Sequence, residues 1–79
     1  MTKSVIYKGF TIQPAPRHLT ETGLWGLNLR ISWTTKHNEQ IVCPFFTADV
    51  YATEDEAATL SIAYGKLIID GKIPGSSVG

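Results

Sequence analysis

The stretch from Leu24 to Trp33, LWGLNLRISW, decides the fold of this chain. Its large apolar side chains recur at every second position, which is the period of a β-strand and not of a helix. We therefore expect one face of this strand to pack against a core while the other lies outside. The apolar face comprises Trp25, Leu27, Leu29, Ile31 and Trp33, and the other comprises Gly26, Asn28, Arg30 and Ser32.

Segments on both sides of this strand are expected to pair with it. FTIQP (residues 10–14) alternates in the same way, and QIVCPFF (residues 40–46) follows a polar hairpin connection. Pro44 has no N–H for a sheet hydrogen bond, so its strand should lie at an edge or bulge there. Lys8-Gly9 fits either a tight hairpin turn or a glycine bulge. Residues 15–23 have the composition of a loop.

The end of the chain has the signals of one long helix. Thr53 is a good N-cap, and Glu56 three residues later fits a capping box. Gly71 suits the left-handed position after a helix, and Pro74 beyond it prevents continuation. These signals predict a helix over residues 54–70.

Together these elements predict a single α+β domain over residues 1–79. We expect two layers, with a three- to four-stranded antiparallel sheet over residues 1–46 and a connection over residues 47–53. The helix at residues 54–70 covers one face of the sheet. Residues 74–79 are expected to form a flexible tail.

The predicted helix carries more apolar surface than one small sheet can easily cover. One stripe is expected to face the sheet, and a second, centred roughly 120° away at 100° per residue, is a candidate partner or self-association surface. Gly65 lies in the second stripe, where the missing side chain would let another backbone approach. The alternative is that the same chain covers this stripe. The first stripe is Ala57, Leu60, Tyr64, Leu67 and Ile68, and the second is Ala58, Ile62, Gly65 and Ile69.

The outer face of the sheet is a second candidate contact surface. Val42 and Phe46 point there if the intervening apolar side chains point inward, and this places them beside polar residues of the central strand. The alternative is a solvated face with two exposed apolar residues, which is common. The four residues of this candidate sheet-face contact are Asn28, Arg30, Val42 and Phe46.

No residue pattern in the chain points to catalysis, a cofactor or a metal. Cys43 is the single cysteine and is expected in the core, and His18 and His37 lie in polar loops without a partner at metal-ligand spacing. The acidic run of residues 54–56 is explained by its place in the first helical turn. Seven basic and seven acidic side chains cancel, which disfavours nucleic acid and anionic membranes as partners.

The sequence also lacks the patterns of export and membrane insertion. MTKSVIYKGF has no long apolar run followed by a small-residue cleavage site, and no stretch approaches the length of a membrane span. We therefore expect a cytoplasmic protein.

Three segments resemble a group of small bacterial proteins of unknown function. They are YKGFTIQPAP at residues 7–16, YATEDEA at residues 51–57 and IIDGKIPG at residues 68–75. The resemblance covers most of the chain and implies a compact α+β domain with one long helix after the sheet. It implies no catalytic or ligand-binding residue, because the matching positions are structural: Gly9, Pro14, Thr53, Glu56, Gly71 and Pro74.

The function predicted from these observations is a non-catalytic, cytoplasmic protein-interaction module. The partner is another protein or a second copy, the latter bound through the stripe that contains Gly65. The alternative is a regulator that binds nucleic acid on the open sheet face, with Arg30 as its main cation.

Overall fold

An antiparallel sheet of five strands packs against one C-terminal helix in a computed structural model that describes residues 4–73. The predicted α+β fold is confirmed, and the sheet has more strands than predicted. The predicted tail at residues 74–79 lies outside the described residues, as does Pro74. In chain order the elements are β1 (Val5–Tyr7), β2 (Phe10–Pro14), β3 (Arg17–Leu19), β4 (Leu24–Thr34), β5 (Gln40–Tyr51) and α1 (Glu54–Ile69).

The extra strand arises because β2 and β3 follow the same side of β4 in one continuous register. Pro14 lies opposite Leu29 and Arg17 lies opposite Gly26, so no residue is inserted between the two pairings. The Ala15 N–H still donates to the Asn28 carbonyl at 2.9 Å in this register, and the ladder is interrupted at Pro16, which has no N–H to donate. Across the sheet the order is β1, then β2 and β3 together, then β4, then β5. Residues 17–19, expected in a loop, are therefore part of the sheet.

The choice between a turn and a bulge at Lys8-Gly9 resolves to a turn. Tyr7 pairs with Phe10, and the two residues between them have φ angles of 50° and 85°. Two consecutive positive φ angles define the type I′ turn, whose twist matches that of the strands it joins.

β5 is an edge strand, as Pro44 predicted, and it continues past residue 46. Phe46 lies opposite Asn28 and Val50 lies opposite Gly26, so residues 47–49 face a single residue of β4. This bulge interrupts the ladder, and pairing then resumes as far as Tyr51 opposite Trp25. The sheet therefore ends five residues later than predicted.

The helix begins and ends where its capping residues predict. The Thr53 hydroxyl accepts a hydrogen bond from the Glu56 N–H at 3.1 Å. Gly71 has a φ of 73°, and the N–H of Lys72 donates to the carbonyl of Leu67 at 2.9 Å. With the Gly71 N–H bonded to Ile68, this is a Schellman motif.

The helix meets the sheet through a face of small residues. Leu60 and Leu67 are 37% and 40% exposed, so the prediction that they face the sheet and join the core is wrong. The contacting face is rotated by roughly 60° from the predicted stripe, at 100° per residue. Its buried residues are Ala57, Ser61, Gly65 and Ile68, which lie over Ile12, Leu27, Leu29 and Ile31 of the sheet.

Candidate protein-interaction surface on the outer sheet face

The sheet face turned away from α1 gathers the four residues of the predicted sheet-face contact. Alternation along β4 and β5 places Asn28 and Arg30 beside Phe46 and Val42 on this outer face. Asn28 lies directly opposite Phe46 across the strand pair, while Arg30 lies opposite Pro44. The inward positions of β5 at residues 41, 43 and 45 are half-buried, consistent with the opposite orientation.

An exposed apolar row runs along β5 on the outer face. Phe46 is 79% exposed, Val42 51% and Val50 44%. An apolar ring left in water costs free energy that burial against a partner would recover, at about 25 cal/mol for each Å² removed from water. We call this set the β5 row; it consists of Val42, Pro44, Phe46 and Val50.

A depression of about 300 Å³ lies at one end of the β5 row. Gly26 forms part of its floor and has no side chain, while the bulge at residues 47–49 lifts the β5 backbone on one side. Arg17 and Leu19 of β3 form the opposite wall. The depression matches the low end of ligand-site volumes, so one side chain of a partner fits better than a whole cofactor.

The outer face carries two arginines and one aspartate near the β5 row. Arg17 and Arg30 project from β3 and β4, and the single ion pair among residues 4–73 is that between Lys8 and Asp70. Asp49, in the bulge, accepts a hydrogen bond of 2.8 Å from the Thr47 hydroxyl. The acidic run of residues 54–56 belongs to the helix layer on the other side of the sheet.

Sequence reasoning did not find Arg17, Leu19 and Val50 as members of this surface. The first two lie in a segment read as a loop, and Val50 lies in a segment read as a connection. Only Gly26, a glycine within the clearest strand, was a local signal that something unusual occurs at this point of the sheet.

The helix stripe predicted as a partner interface lies against the sheet of its own chain. A Cβ atom on Gly65 would stand 2.9 Å from Ile12 Cγ2 and from Leu29 Cδ1, so this glycine allows the sheet to approach. Ile62 and Ile69 are half-buried and pack against the core, and Ala58 is also half-buried. The outer sheet face therefore offers more free apolar surface than this stripe.

A polar cluster joins the first hairpin to the end of the helix. The Tyr7 hydroxyl donates to Asp70 at 2.9 Å, and the Lys8 ammonium pairs with the same carboxylate. The hydrogen bonds from Lys8 and then Tyr7 lower the pKa of Asp70, and the bond to Asp70 raises the pKa of Lys8. The cluster is an attachment between two elements, and its groups are already satisfied by one another.

The single cysteine and the two histidines lie in three different environments. Cys43 is half-buried, His18 lies against Trp25 with ring centroids 4.6 Å apart, and His37 is exposed in the β4–β5 loop. Within residues 4–73, no three His, Cys, Asp or Glu side chains are close enough together to hold a metal ion. Burial, with Asp49 and Glu56 nearby, raises the pKa of Tyr51.

The one helix within residues 4–73 is not long and apolar enough to cross a membrane.

Comparison of the chain with protein-family models, with curated proteins and with solved structures gave no match.

Proposed function

We propose that this chain is a small non-catalytic protein-interaction module that works in the cytoplasm and binds a protein partner on its outer sheet face. The observation that carries the proposal is Phe46, an aromatic side chain 79% exposed in the middle of an apolar row. Aromatic residues are enriched at the centres of protein interfaces, where they supply much of the binding energy. The depression beside Gly26 gives such a partner a place to insert a side chain.

The outer face supports a protein partner better than a nucleic acid. Single-stranded nucleic acids bind to successive aromatic rings in a basic groove. Here Phe46 is accompanied by the aliphatic Val42 and Val50, which cannot stack with bases as an aromatic ring does. Arg17 and Arg30 are the cations of the strands on this face, in a chain of zero net charge.

The exposed Phe46 between two arginines is nevertheless the feature that a nucleic-acid regulator would use. That second candidate predicts binding of labelled single-stranded oligonucleotides that weakens steeply with salt. The binding should be lost in Arg30→Ala. No binding at low salt would reject this candidate.

The experiment for the leading proposal compares two lysine substitutions on the same face of the sheet. Phe46→Lys should abolish cross-linking to partners in cells, because it places a charge in the centre of the apolar row. Ile6→Lys is the matched control, since Ile6 is 78% exposed on the outer face but on β1, at the far edge. Both variants should keep the wild-type circular dichroism spectrum.

Cross-linked partners that survive Phe46→Lys would contradict the proposal. So would partners lost equally in both folded variants, because the loss would then not depend on the β5 row.

A further inference from the structure

The helix layer of the molecule carries a second exposed apolar surface. At 100° per residue, four exposed side chains of α1 align on one flank of the helix, away from the face that meets the sheet. Leu60 and Leu67 are its large apolar members, at 37% and 40% exposed. Glu56 precedes Leu60 by one helical turn and is also exposed. We call this set the acidic helix stripe; it consists of Glu56, Leu60, Ala63 and Leu67.

The acidic helix stripe and the β5 row are similar in length. From Glu56 to Leu67 the helix rises by about 16 Å at 1.5 Å per residue. From Val42 to Val50 the row spans the β4 partners Ser32 to Gly26, about 20 Å at 3.4 Å per residue. A helix laid along β5 can therefore bring both leucines onto the row.

The net charges at the two surfaces are of opposite sign. Arg17 and Arg30 lie near the β5 row, where Asp49 of the bulge is the acidic neighbour, while Glu56 lies at the start of the helix stripe. The two arginines and Glu56 take no part in the ion pair that the described residues contain, which joins Lys8 to Asp70. A sheet face with more cations than anions is complementary to the acidic start of a helix from a second copy.

We propose that the partner on the outer sheet face is the acidic helix stripe of a second copy of this chain. This inference rests on the proposed function and names the partner for the same surface. The two surfaces lie in different layers of one molecule, with the sheet between them, so a chain cannot satisfy its own row. The contact is therefore head-to-tail, and repeated contacts build a ring or an open chain of copies.

The contact is small and should be weak. A helix about 10 Å wide and about 24 Å long presents less than the roughly 800 Å² per partner of a standard interface. Association should therefore increase with protein concentration and decrease with added salt, since the arginines and carboxylates at the rim remain exposed.

A mixing experiment separates this contact from a symmetric dimer. Phe46→Lys removes the β5 row and keeps the helix stripe, whereas Leu60→Lys does the reverse. Each variant alone should sediment as a monomer, because each lacks one half of the contact. An equimolar mixture should form a dimer that grows no further, because only one complete contact exists between the two variants.

The controls are substitutions of exposed residues outside the two surfaces, one on the same face of the sheet and one on the same helix. Ile6→Lys and Thr59→Lys should associate like the wild type, and all variants should melt cooperatively. A wild-type chain that stays monomeric at every concentration would overturn the inference. A mixture that remains monomeric while the wild type associates would overturn it too. Either variant forming a dimer by itself would also overturn it, in favour of a symmetric contact between two copies of the surface that this variant keeps.

This test and the cross-linking test fail independently. A monomeric wild type that still cross-links to another protein through Phe46 would overturn the self-association and leave the interaction module standing. A monomeric wild type whose cross-links to other proteins survive Phe46→Lys would overturn both proposals.

Discussion

At Gly65 the helix lies too close to the sheet for a β-carbon to fit without a shift of its neighbours. An alanine there would place its Cβ 2.9 Å from Ile12 Cγ2, a methyl group on the branched Cβ of isoleucine, where χ1 is stiff and leaves little room to move away. Overpacking of this kind costs about 1–3 kcal/mol, against about 1 kcal/mol gained from the helix propensity of alanine. We expect Gly65→Ala to lower the free energy of unfolding by about 1 kcal/mol, measured by urea denaturation. A more stable variant would show that the helix does not sit at this distance.

Ser61 is buried on the same helix face, and its hydroxyl has no hydrogen-bond partner among the described residues. A buried polar group without a partner costs about 1–3 kcal/mol, and alanine is the better helix former. We expect Ser61→Ala to raise the free energy of unfolding by about 1 kcal/mol in the same assay. Thr59→Ala, at an exposed position of the same helix, is the control and should have a smaller effect. A destabilised Ser61→Ala would mean that the hydroxyl has a partner after all.

The same two small residues explain why the helix was predicted in the wrong rotation. Periodicity gives weight to large apolar side chains, and Leu60 and Leu67 define the more conspicuous stripe. The bulk of the core is supplied by the sheet, where Ile12 and Leu29 are fully buried, so the helix must approach with small side chains. A glycine and a serine on one helix face do not stand out in the sequence, although they decide which face of the helix packs against the sheet.

The hairpin of β1 and β2 is held to the end of α1 by Asp70. Because Tyr7 and Lys8 lower the pKa of this carboxyl in the folded chain, the attachment stabilises the fold above the ordinary value of 3.8. This contribution is lost as the pH falls through the lowered pKa. We expect the melting temperature of the wild type to fall below pH 4 more steeply than that of Asp70→Asn. Glu21→Gln, in an exposed loop, should behave like the wild type.

Lys8, the other partner of this ion pair, responds to pH in the opposite direction: its contribution to stability is lost as the pH rises. The pKa of Lys8 is raised above 10.5, so its contribution is complete below that value and is lost as the pH rises through the raised pKa.

The acid experiment has an outcome that would contradict this account. Equal acid sensitivity in wild type and Asp70→Asn would show that the attachment through Asp70 does not contribute to stability.

Elements with local signals were predictable, and elements defined by pairing were not. Thr53 and Gly71 mark the helix ends through their own chemistry, and alternation along β4 fixes which residues face outward. The bulge at residues 47–49 and the pairing of β3 depend on the partner strand, since the sequence of each segment fits a loop equally well. The depression on the outer face is built from these two features, so it could not be predicted.

At the scale of the whole molecule, β5 is an exposed edge strand, and its free backbone N–H and C=O groups can pair with another chain. Residues 40–48 contain no charged side chain and are rich in β-branched and aromatic residues, a composition that favours aggregation. Pro44 interrupts this stretch, because proline offers no N–H to an incoming strand. The molecule therefore combines an apolar face that favours association with an edge that resists strand addition.

This balance predicts the behaviour of two substitutions at Pro44. Pro44→Val restores an unbroken edge of β-favouring residues and should cause time-dependent aggregation, followed by light scattering and thioflavin fluorescence. Pro44→Lys also restores the N–H but adds a charge, which opposes stacking of identical strands, so it should remain dispersed. Because Pro44 belongs to the β5 row, Pro44→Lys should also weaken head-to-tail association, so light scattering alone cannot separate the two effects. Thioflavin fluorescence decides, because it reports stacked strands and not the association of folded copies. If Pro44→Val stays as dispersed as the wild type, the bulge alone protects the edge, because it bends the second half of β5 away from an incoming strand.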